Sequence, residues 1–88
     1  MHQYTFLLRG FLTERIKNHR KAIHLTQEAM AEVLHISPRS YISLERGENG
    51  SSTATFMLFL RVLPEKELLL LCADFRALVE REAEHVPL

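Results

Sequence analysis

"TQEAMAEVLHISPRSYISLERG", residues 26–47, holds two short helical patterns separated by a turn of a few residues. Thr26 stands where its hydroxyl can accept an early backbone N–H of a helix over 27–34, whose Met30, Ala31 and Leu34 share one face. Ser37 and Pro38 open the second pattern, which ends near Gly47. The serine oxygen can accept an N–H of the first turn. Proline at the first helical position has no donor to leave unpaired and a φ already set for the helix. The start of this second helix is therefore sharply fixed.

At about 100° per residue, Tyr41 and Leu44 fall on one side of it and read as core. Arg39, Ile42, Ser43 and Arg46 fall on the other. Two arginines, a small hydroxyl and one aliphatic group suit a DNA major groove. Arginine can bond guanine O6 and N7 together, and an aliphatic side chain can cover a thymine methyl. The first residues of such a helix are the ones that reach base edges. An ordinary solvated face with one stray isoleucine has the same composition, so the neighbouring residues must decide.

Those neighbours supply a capped helix, a tight turn and a second short helix, with Ala31 small where the two helices approach. Ile36, Tyr41 and Leu44 provide apolar contacts at the turn and beyond it, an arrangement that reads as helix-turn-helix. With "LTERIKNHRKAIHLTQ" directly before it, the stretch resembles the Cro/C1-type, XRE-like family of lambda-repressor-like DNA-binding domains. The resemblance spans residues 12–63. It is carried by Leu12, Arg15, Ile16, Arg20, Leu25-Thr26-Gln27, Ala31, Leu34, Ile36-Ser37, Leu44 and Glu45-Arg46-Gly47.

The resemblance implies that Pro38, Arg39, Ile42 and Ser43 face bases, while Gln27 contacts phosphate and braces the reading helix. Ser37, Arg46, Asn49 and the amides near Ser52 are implied to support backbone contact, and Arg20 and Glu45 to form a structural ion pair. Departures are informative. His24 and His35 replace common glycines at helix ends, so left-handed backbone is expected at both. His19 stands where leucine is common, Tyr41 where isoleucine or valine is usual, and Glu48 where a lysine or arginine is frequent. The Tyr41 hydroxyl then needs water, phosphate or a polar neighbour.

Eighty-eight residues make one domain: a helix-turn-helix core over 12–63 and a C-terminal helix over 64–88. Net charge is zero, yet residues 1–47 carry +3 and residues 48–88 carry −3, which leaves a basic side for an anionic partner. The longest apolar run, "FMLFL" at 56–60, is far below the roughly 20 residues that span a bilayer, and no signal peptide is apparent. No membrane association and a cytoplasmic location are expected. The single cysteine, Cys72, rules out an intrachain disulfide. His19, His24 and His35 match no zinc-ligand spacing, so neither metal nor cofactor is expected. No serine–histidine–acid set or Gly-rich phosphate loop suggests catalysis.

Helical periodicity covers most of the chain, which makes the expected fold all-α, with five helices. The first pattern spans about residues 5–22 on a Leu8, Phe11, Leu12, Ile16 stripe, although Gly10 places its start nearer Phe11. Ser52 or Thr53 caps a fourth, "ATFMLFLRVL". Pro64 stops that helix and can occupy the first position of the fifth. These last two helices are apolar nearly all round. Leu68, Leu71, Phe75 and Leu78 recur at a three-four spacing, widened by Leu69, Leu70, Cys72 and Val79, and point to a homodimer seam. Folding of that helix wholly onto its own domain is the competing arrangement. The functional expectation is a sequence-specific double-stranded DNA-binding regulator, a small prokaryotic repressor. The alternative keeps the fold as an interaction module for a protein partner, such as an antitoxin-like or complex-assembling subunit.

Overall fold

The computed structural model describes residues 2–85, and these form five helices without a strand. They are α1 (His2–Ala22), α2 (Gln27–Val33), α3 (Pro38–Glu45), α4 (Thr53–Val62) and α5 (Glu65–His85). No helix among the described residues is long and apolar enough to cross a membrane.

Local chemistry fixes the boundaries. Thr26, Ser37 and Ser52 each hold an extended backbone and accept an N–H three residues on, from Ala29, Ser40 and Thr55 at 3.0–3.1 Å. Of the two candidate caps for α4, Ser52 is the one used. The ends of α1, α2 and α3 share a second device. Leu25, Ile36 and Glu48 donate back to the carbonyls of Arg20, Ala31 and Ser43, and the residue before each donates to Lys21, Glu32 and Leu44. This paired closure requires a left-handed residue at its apex. His24 (φ 60°), His35 (φ 57°) and Gly47 (φ 76°) occupy the three apices, as expected for the two histidines.

Two boundaries differ from the sequence expectation. Helix α1 passes through Gly10 and begins at His2. One internal glycine costs only about 1 kcal/mol relative to alanine, and good helix formers flank this one. Leu8, Phe11 and Leu12 line an apolar groove together with residues of α4 and α5. Pro64 lies just outside α5, where its carbonyl accepts from Leu68 N at 2.9 Å.

The core is one cluster of Ile16, Met30, Ala31, Leu34, Tyr41, Leu44 and Phe59, contributed by the first four helices and the end of α2. Burying Phe59 completely is worth about 2–3 kcal/mol. Its ring also meets the edge of half-buried His19, with centroids 5.7 Å apart. Helix α5 lies against α1, tied by the Arg15–Asp74 ion pair and by the approach of Glu67 to His19 Nδ1 at 4.0 Å. Leu71 is its one buried side chain among the described residues.

Candidate nucleic-acid interface

The short helix α3 is anchored from one side and open on the other. Tyr41 and Leu44 enter the core, while Pro38, Arg39 and Arg46 are exposed and Ile42 and Ser43 are half-buried. The predicted face is thus divided. Its first turn stands clear of the protein, and its middle is partly sheltered.

Beside the buried Tyr41 and Leu44, a single carboxylate ties α3 to its neighbours. Glu45, with only 6% of its side chain exposed, accepts from Arg20 Nε at 2.6 Å and from Arg20 Nη2 at 3.2 Å. It also accepts from Gln27 Nε2 at 3.0 Å and from the Tyr41 hydroxyl. Arg20 spends a further donor on the Leu25 carbonyl, 2.9 Å away, which closes the end of α1. Three helices and one turn therefore meet at Glu45. Burial alone would raise its pKa; hydrogen bonds from Arg20, Tyr41 and Gln27 outweigh that and hold it below the ordinary carboxylate range. The same contact with Glu45 raises the pKa of Arg20. Burial first, and then the bond to Glu45, pushes the Tyr41 phenol up, so it remains a neutral donor.

The ion pair expected from Arg20 and Glu45 is present. Gln27 reaches α3 through the same carboxylate. The sequence by itself leaves the partner of the Tyr41 hydroxyl open. The signal was available: Glu45 follows Tyr41 by four residues, the spacing at which helical side chains meet.

Supporting residues surround this platform. The Ser37 hydroxyl caps α3 and bonds Ser40 Oγ at 3.0 Å. The Ser52 hydroxyl is engaged in the same way with Thr55. Asn49 and Glu48 are exposed in the loop between α3 and α4. Arg9, which sequence reading did not single out, reaches that loop from α1, with Nη2 3.3 Å from the Gly47 carbonyl oxygen.

The four residues expected at a dimer seam do not form one uniform surface. Leu71 is buried in its own chain, Leu68 and Leu78 are half-buried, and Phe75 is exposed. Leu69 at 65% exposure and Leu70 at 51% are more open than any of them. Phe75 and Cys72 rim a groove of about 420 Å³ with Leu8, Phe11, Phe56 and Leu60.

A family model described as helix-turn-helix matches residues 16–70, more than half of the chain. No curated protein and no solved structure matches it. The matched span starts in the second half of α1, includes the whole Glu45 platform and ends early in α5. The chain belongs to the Cro/C1-type, XRE-like helix-turn-helix family of DNA-binding regulators.

Proposed function

We propose that the chain is a small cytoplasmic repressor that reads a specific double-stranded DNA site as a homodimer. The supporting observation is the two-sidedness of α3. Its inner face is fixed through Tyr41, Leu44 and Glu45, while its first turn presents Pro38 and Arg39 to solvent. A reading helix must hold its arginines to within fractions of an ångström, because bidentate recognition of guanine depends on geometry. In this reading Arg39 specifies a base pair, with Ile42 and Ser43 supplying apolar and hydroxyl contacts beside it. Gln27, Ser37, Arg46, Asn49 and the amides near Ser52 grip the phosphates on either side.

Dimerisation supports the same reading energetically. Glu28, Glu32 and Glu48 surround an interface on a chain of zero net charge, so one copy has few favourable phosphate contacts. Two copies double them. The exposed apolar side chains of α5 are the surface we assign to that contact, with Phe75 from the expected seam joined by Leu69 and Leu70.

Selection of bound duplexes from a random pool, with Arg39→Ala in parallel, tests the proposal. Enrichment of a two-fold symmetric site is expected, with half-sites about one helical turn apart. Arg39→Ala should lose about 1–3 kcal/mol on that site and relax preference at one base pair. Absence of enrichment, with residual binding equal in the variant, would turn the assignment to a protein-interaction module.

A further inference from the structure

We propose that Arg9, on the part of α1 that precedes the family match, is a DNA-phosphate contact acting beside the α3–α4 loop. The inference rests on the DNA-binding reading above. Arg9 lies seven positions before the matched span begins, so its role does not follow from family membership. It depends on α1 continuing through Gly10, which carries the guanidinium alongside the end of α3.

The side chain is held by its stem and free at its tip. A Cβ added at Gly50 would come within 3.3 Å of Arg9 Cδ and Nε, so the absence of a side chain there lets the arginine lie across the loop. The Gly47 carbonyl takes one of its five N–H donors, at a long 3.3 Å. Arg15 and Arg20 each pair with a carboxylate; among the described residues none lies within ion-pair distance of Arg9.

Arg9 and Arg46 line one shallow groove of about 330 Å³, together with Thr13 and Gly47. Glu14 and Glu45 line it as well, but Glu45 is already saturated by Arg20, Gln27 and Tyr41. The result is a guanidinium with unspent donors, resting on the very loop that carries Asn49 and the start of α4. A phosphodiester is the anion whose geometry a guanidinium fork matches, and a cation here offsets the acid at Glu48.

The test compares wild type, Arg9→Gln, Arg9→Lys and Arg39→Ala on the selected duplex and on a scrambled duplex, from roughly 50 to 200 mM salt. Arg9→Gln should weaken both duplexes alike, by about fivefold at the lowest salt, and flatten the log–log salt slope by about one. Arg9→Lys should retain the wild-type slope. Circular dichroism confirms that each variant is folded. An unchanged slope in Arg9→Gln would overturn the inference even if affinity fell, since a purely structural role alters affinity without removing a counterion. Failure of the wild type to bind either duplex would instead remove the DNA-binding reading, and the inference with it.

Discussion

Helices α2 and α3 occupy fifteen residues and bury Met30, Ala31, Tyr41 and Leu44; α5 occupies twenty-one and buries Leu71 alone among its described side chains. The short pair is closed by two hydroxyl caps and two left-handed apices, and is locked by one carboxylate with three partner residues. The long helix contributes an exposed ion pair and one buried leucine. Apolar content is therefore a poor guide to burial, because α3 and α5 are about equally apolar and differ in how much of that surface is covered. Polar groups fix α3 because a buried carboxylate must find its donors in one geometry, whereas leucines accept many neighbours.

Removing the lock should erase the contrast. Glu45→Ala leaves the Arg20 guanidinium and the Tyr41 hydroxyl without their acceptor, at a cost of about 3 kcal/mol in denaturant unfolding. A loss below about 1 kcal/mol would mean that apolar packing alone holds α3. On the other side of the comparison, Leu70→Glu should leave the fold intact while weakening self-association by about 2 kcal/mol, read by sedimentation at graded concentrations. Leu71→Glu should unfold the chain, since that leucine is 4% exposed. Concentration-independent behaviour of the wild type would remove the proposed dimer, whereas equal self-association of wild type and Leu70→Glu would place the proposed contact elsewhere.

Smaller effects sharpen the same division. His35→Gly relieves a left-handed side chain and should stabilise the fold by about 1 kcal/mol, seen as a raised midpoint in urea. Acid provides a separate probe. The Glu45 carboxyl has a folded pKa below its unfolded value of 4.5, so its stabilisation is complete above pH 4.5 and disappears as pH falls through the folded value. Glu45→Gln should flatten that acid limb of the stability profile. Asp74→Ala comes last. Its pair with Arg15 is exposed, and a loss of no more than about 0.5 kcal/mol is expected.

Much of the fold could be read from residues whose chemistry is local. Thr26 and Ser37 announce helix starts through their own hydroxyls, and His24 and His35 mark the expected apices by standing where glycine is common. Met30, Ala31, Leu34, Tyr41 and Leu44 reveal their inward direction through spacing. The remainder depended on contacts across the chain. Gly10 suggests a helix start because its penalty is local, while the placing of Leu8 and Phe11 beside an apolar groove with α4 and α5 is not. The α5 stripe showed the same limit. Periodicity identifies an apolar face, but the amount of that face its own domain covers is set by the position of α1. The placement of Arg9 is illegible locally for a related reason: its neighbours, Gly47 and Gly50, are some forty residues away along the chain.

The Glu45 junction also bears on how the chain reaches its native state. Its partners are at most 25 positions apart in sequence, within a single stretch from Arg20 to Glu45. Closing so short a loop sacrifices little chain entropy, and topologies rich in such near-neighbour contacts cross their folding barrier quickly. The stretch from α1's end through α3 can thus assemble before Asp74 meets Arg15 across 59 positions. Substitutions at the junction should slow refolding, whereas those on α5 should chiefly hasten unfolding. The α3 platform would then be complete while α5 is still arriving.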